Sequence, residues 1–174
     1  MNISWTEAVR GFGRYLRIER SLSPNSVSAY LNDVRKLQDF FAGREPGLLP
    51  GDLTYDGLSD FIASVTDTDR SARTQARLIS GIRSFCRYML TEGVISDDPS
   101  VMLESPRTGM KLPEVLSVEE IDRMVSSIDL SSPEGHRNRA IIETMYGCGL
   151  RVSELVNMRL TDIHRKEGFV SVIG

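Results

Sequence analysis

The chain has 174 residues, 40% hydrophobic and 26% charged, with a formal net charge of −3, enough for one ordinary domain or two small ones of globular composition. The opening residues, MNISWTEAVRGFGRYLR, contain no uninterrupted apolar run, so no signal peptide or membrane span is expected at this end. Cys86 and Cys148 lie too far apart for a metal motif, so both are expected to be reduced, packed thiols of a cytoplasmic protein.

Apolar residues recur at helical spacing almost throughout. A first helix is predicted from about Ser4 to Arg20, with Trp5, Ala8, Val9, Phe12, Leu16 and Ile18 as its apolar contacts. Ser23-Pro24 supplies an N-cap and a proline at the first helical position. The second helix then runs to about Phe41 through Val27, Tyr30, Leu31, Val34, Leu37 and Phe40, and Gly43 and Glu45-Pro46-Gly47 end it. A third helix is expected over Tyr55–Val65 and a fourth over Arg70–Glu92, closed by Gly93 as a C′ glycine.

Residues 105–113, SPRTGMKLP, carry Pro106, Gly109 and Pro113 and no helical period, and read as a linker. Beyond it, Ser117 and Glu120 form a capping-box pattern for a helix to about Ile128. Ser132-Pro133 opens a helix through Ile141, Ile142 and Met145 to Gly147, and a short helix follows Arg151. Gly168–Gly174 alternates as a strand. No partner for it is visible, and a lone strand is unstable, so the chain is expected to stop inside a sheet.

Chemistry first shows on the fourth helix. At 3.6 residues per turn, Leu78, Ile79, Ile82, Phe85, Cys86 and Met89 gather on one side. Arg70, Arg73, Arg77, Arg83 and Arg87 fall on the other, within an arc of roughly 140°. No acidic residue interrupts that face before Glu92. Ser80 and Ser84 lie among the arginines, and Gly81 at the edge is small enough to let a phosphate approach the backbone. A solvated helix face ordinarily mixes charges, because like charges one turn apart repel. An unmixed arginine row calls for a polyanion: nucleic acid, or an acidic partner protein.

Residues 137–163, RNRAIIETMYGCGLRVSELVNMRLTDI, resemble the block around the first active-site arginine of tyrosine recombinases and phage integrases. SLSPNSVSAYLNDVRKLQDFF resembles the second N-terminal helix of that family, and KLPEVLSVEEIDRMV its interdomain segment, so the likeness covers essentially the whole chain. No extra arm-binding domain is expected before the first helix, so the compact Xer type is the expected one.

The resemblance implies a mainly α fold. Residues 1–104 would be a four-helix, SAM-like core-binding domain, residues 105–113 a linker, and residues 114–174 the first, incomplete part of a mixed α/β catalytic domain. By the same likeness Arg151 is the first catalytic arginine, which holds non-bridging oxygens of the scissile phosphate. Glu154, one turn on, would orient it. Without that context Arg151 and Glu154 are an ordinary helical ion pair. Gly147 and Gly149 around Cys148 permit the chain reversal that brings Arg151 out.

Tyr15, Tyr30, Tyr55, Tyr88 and Tyr146 all precede Arg151, whereas the family nucleophile follows it; Tyr146 is expected to pack inside. His136 and His164 have no partners at metal or triad spacing and are expected at the surface. Arg137 and Arg139 are expected to pair along their helix.

The implied activity is site-specific DNA cleavage and rejoining through a phosphotyrosine, without metal, cofactor or small-molecule substrate. The implied partners are double-stranded DNA and further recombinase protomers in a tetramer, with no membrane. Chromosome dimer resolution is the first expected task and mobile-element integration or inversion the second. The 174 residues alone would bind DNA without cleaving it. A helical adaptor for an acidic protein is the reading of another class.

Overall fold

The computed structural model describes residues 3–66, 71–107, 109 and 112–172. The chain divides into two compact units, Met1–Met110 and Lys111–Gly174. Seven α-helices and one two-stranded sheet lie among the described residues.

The first unit is helical. Helix α1, Trp5–Ile18, begins at Ser4, whose hydroxyl accepts from the Glu7 amide while Glu7 accepts from the Ser4 amide. This reciprocal cap satisfies two otherwise unpaired donors. Helix α2, Pro24–Arg44, is capped by Ser23 with proline in its first turn, three residues longer than the pattern suggested. Helices α3, Tyr55–Thr66, and α4, Ala72–Thr91, complete the unit. Helix α4 starts at the Ser71 cap, and the expected Arg70 lies outside the described residues. It stops at Gly93, φ +67°, where the Val94 amide donates back to the Met89 carbonyl at 2.9 Å, the six-to-one closure of a helix C-terminus.

Helix α4 is the central element, packing against α1, α2 and α3. Its apolar side contributes Leu78, Ile79, Ile82, Phe85, Cys86 and Met89 to the core, all essentially inaccessible. Phe85 stacks on Trp5 and meets Phe12 edge-on at 5.3 Å between centroids. Truncating either phenylalanine to alanine costs about 3–5 kcal/mol. The Trp5 indole donates to the Leu48 carbonyl at 2.9 Å. Ile18, expected to contribute apolar contacts, is 75% exposed, because two residues past the buried Leu16 it falls on the opposite side of the helix.

The second unit carries α5, Val118–Ser126, with the Ser117/Glu120 capping box in place. Helix α6, Pro133–Cys148, starts at Ser132. A Cβ on Gly135 would fall 1.7 Å from the Asp129 carbonyl oxygen, so only glycine lets the preceding turn lie against this helix. Gly149, φ +64°, ends α6, and the five-residue helix α7, Val152–Val156, follows.

The strand does have a partner: β1, Ile163–His164, pairs antiparallel with β2, Phe169–Val170. Gly168, φ +74°, closes the turn by donating to the His164 carbonyl at 2.8 Å. The β1 side shows too little alternation to be read as a strand. Among the described residues of this unit only Gly135 and Leu150 are buried. Tyr146, at 51% exposure, is not packed. Cys148 is exposed while Cys86 is buried, so one thiol departs from the expected packing.

Candidate nucleic-acid interface

Four of the five arginines of the predicted face lie among the described residues of α4. Arg73, Arg77, Ser80 and Arg87 are exposed, and Arg83 and Ser84 are half-buried. Among the described residues neither Arg73 nor Arg87 pairs with an acid. The Ser80 hydroxyl donates to the Ala76 carbonyl.

Two arginines of the row are engaged within the unit. Arg77 forms a fork with Asp33 of α2, Nη1 to Oδ2 at 2.5 Å and Nη2 to Oδ1 at 2.9 Å. The Asp33 side chain is only 1% exposed. Arg83 donates from Nη2 to the Leu103 carbonyl and so ties α4 to the segment after it. The face is therefore interrupted by an acid, supplied by α2 rather than by α4 itself.

Gly81 needs a second correction. It is buried, and a Cβ there would meet Asp33 Oδ2 at 2.9 Å. Its missing side chain makes room for that carboxylate, not for a phosphate. Lys36, one turn along α2, places Nζ 3.9 Å from Asp33 Oδ1. Neither Asp33 nor Lys36 stands out in the sequence as a site residue. The one available sign was an acid on α2 at helical spacing from Tyr30 and Leu37, inside the apolar face.

In the second unit Arg151 is the N-cap of α7. The Glu154 carboxylate accepts from the Arg151 amide and from its Nη1, each at 2.7 Å. These bonds, with the backbone contact foremost, hold the Glu154 carboxyl below its ordinary range. The Glu154 side chain is 14% exposed and that of Arg151 82%, so Glu154 grips one edge of the guanidinium and leaves its other donors to solvent. Glu154 thereby also satisfies the Arg151 amide at the start of α7. A cleft beside the pair is lined further by Asn157, Arg159 and Asp162.

Arg139 pairs with Glu143 at 2.9 Å, and Arg137 bonds Asn138. His136 is exposed. His164, expected at the surface, is half-buried, stacked on Phe169 and bonded to the Ser171 hydroxyl. Among the described residues no group of three ligating side chains converges, and no helix is long and apolar enough to cross a membrane.

The fold is similar to about half of the lambda integrase chain. The TM-score is 0.74 against a lambda integrase tetramer bound to a Holliday junction, at 16% identity over 98% of this chain and 47% of that one. It is 0.71 against a lambda integrase dimer bound to a COC' core site, at 16% identity over 99% and 49%.

Residues 9–93 match the phage integrase N-terminal SAM-like domain and residues 114–174 the phage integrase family. The chain belongs to that family, the tyrosine recombinases. It is 34% identical over 168 residues to tyrosine recombinase XerD of Listeria monocytogenes serotype 4b (strain F2365), covering 97% of this chain and 57% of that protein. To XerD of Pseudomonas aeruginosa (strain PAO1) it is 35% identical over 159 residues, covering 91% and 53%. The chain thus spans a little over half the length of the curated relatives it matches.

Proposed function

We propose that residues 1–104 form a DNA-binding domain that grips duplex DNA through α4, that 105–113 link it to the catalytic domain, and that 114–174 are the first part of that domain. The observation that carries the reading is the α4 arginine face, with Arg73 and Arg87 exposed and unpaired among the described residues, on a unit matching the integrase N-terminal domain. The proposed interface comprises Arg73, Arg77, Ser80, Arg83, Ser84 and Arg87, and includes Arg70, which lies outside the described residues. For the whole protein the proposed task is chromosome dimer resolution in the cytoplasm, ahead of mobile-element integration.

In the reaction proposed for the whole protein, a tyrosine oxygen attacks the scissile phosphorus. A 3′-phosphotyrosyl bond forms, and the 5′-oxygen departs with a proton. Arg151 holds the non-bridging oxygens and offsets charge that grows in the transition state; Glu154 fixes the guanidinium plane. No tyrosine follows Arg151 within residues 152–174, so these residues by themselves hold phosphate without attacking it. Strand exchange requires further protomers, assembled as a tetramer on two sites.

The test is binding of the chain to duplex DNA by fluorescence anisotropy across a salt series. Arg73→Ala with Arg87→Ala removes two contacts and leaves the Asp33 and Leu103 ties intact. The log–log slope should flatten by about two. An unchanged slope and affinity would remove α4 as the interface and favour an acidic protein as its partner.

A further inference from the structure

We infer that Asp33 is a positioning residue for DNA binding, whose buried carboxylate gathers Arg77 of α4 and Lys36 of α2 into a two-cation clamp for one backbone phosphate. The inference rests on the reading of α4 as the DNA-binding face.

A helix pair does not need a buried carboxylate to pack. Burying an ion pair is costly, and well-packed apolar side chains of similar volume often serve as well or better. Here both helices depart from simple packing to keep it. On α2, Asp33 stands beside the buried Val34 and one turn before the buried Leu37. On α4, Gly81 lacks the side chain that would collide with Asp33 Oδ2.

The cations it holds are not buried. The Arg77 side chain is 47% exposed and that of Lys36 41%. Asp33 engages two of the five N–H groups of Arg77, which leaves three free of it. Asp33 Oδ1 is shared, at 2.9 Å from Arg77 Nη2 and 3.9 Å from Lys36 Nζ. Two cations that would repel are thereby held around one oxygen, and the cluster keeps a net positive charge. A backbone phosphate offers two non-bridging oxygens, one for the guanidinium and one for the ammonium. Such phosphate contacts set the register of a protein on its duplex without reading sequence. Because the clamp spans α2 and α4, it would fix both helices on the DNA together.

The test compares Asp33→Asn and Lys36→Gln with the parent chain on duplex DNA by anisotropy, at a temperature where circular dichroism shows each to be folded. Removing a negative charge from a DNA-facing surface should, by simple electrostatics, tighten binding. The clamp requires the reverse, a loss of roughly fivefold to tenfold for Asp33→Asn, as expected for charge-assisted bonds that lose their geometry. Lys36→Gln should lower the salt slope by about one. Asp33→Asn should have little further effect once Lys36 and Arg77 are both replaced, whereas its effect should persist beside Arg73→Ala.

Binding as tight as the parent's, or tighter, in folded Asp33→Asn overturns the proposal, as does an unchanged slope in Lys36→Gln. If Asp33→Asn does not fold, Lys36→Gln decides alone. Failure of both variants while Arg73→Ala with Arg87→Ala still weakens binding removes the clamp and leaves the α4 interface standing. If the Arg73/Arg87 pair has no effect, the underlying interface falls instead.

Discussion

Gly81→Ala should destabilise the first unit, although the same substitution in most helices stabilises. Alanine is favoured over glycine by about 1 kcal/mol in a helix interior, and burying its methyl adds about 0.8 kcal/mol. Against this, the new Cβ would stand 2.9 Å from Asp33 Oδ2 and 3.2 Å from Asp33 Cβ. Asp33 cannot retreat freely, because Arg77 holds both its oxygens at 2.5 and 2.9 Å. Overpacking costs about 1–3 kcal/mol, and hydrogen bonds to charged groups contribute about 1.5–3 kcal/mol each, part of which is lost as they lengthen. The balance is a net loss of about 1–3 kcal/mol, equivalent to a fall in Tm of roughly 4–8 °C per kcal/mol for a small domain.

Gly43→Ala is the control. It lies on the exposed side of α2 with nothing within 4 Å of its added Cβ, so it should stabilise by up to about 1 kcal/mol. Thermal and urea melts followed by circular dichroism measure both. If Gly81→Ala raised Tm as Gly43→Ala does, the Asp33 carboxylate would not be held as tightly as the geometry requires.

Four further outcomes are expected. Cys86 is buried, and burial, with the nearby Asp98 charge adding to it, pushes its thiol pKa up to about 12; Ellman's reagent should titrate one thiol quickly in the native chain, lost in Cys148→Ser, and two fast thiols would contradict the packing. The depressed pKa of Glu154 means that its grip on Arg151 is complete above the unfolded carboxylate value and is lost as pH falls through the lower folded one. A carboxyl NMR titration should show this, with Arg151→Ala raising the midpoint only partway, since the backbone amide still donates; no rise at all would argue against the side-chain bond. Limited trypsin digestion should cut after Arg107 or Lys111 and leave a stable N-terminal piece, whereas preferred cutting inside α4 would break the proposed domain map. On a nicked suicide substrate the 174 residues should shift DNA in a native gel without a covalent band; an adduct abolished by Arg151→Ala would show that the nucleophile had been misplaced.

The helix limits were legible in the residues because caps are local. Ser23-Pro24, Ser117 with Glu120, Ser132-Pro133 and Gly93 act within a few residues of themselves, and each marks a boundary in the folded chain. The family was legible too, since residues 137–163 keep its pattern in one continuous block. The arginine face followed from helical periodicity alone. What those arginines do inside the fold did not. Arg77 meets Asp33 across 44 positions and Arg83 meets Leu103 across 20, so no local spacing links them. Gly81 looked like access for a ligand until α2 packed beside it. The partner of the final strand emerged only with the turn that Gly168 allows. Periodicity assigns a residue to a face of its own helix, but the groups opposite that face come from other elements, and packing alone selects them.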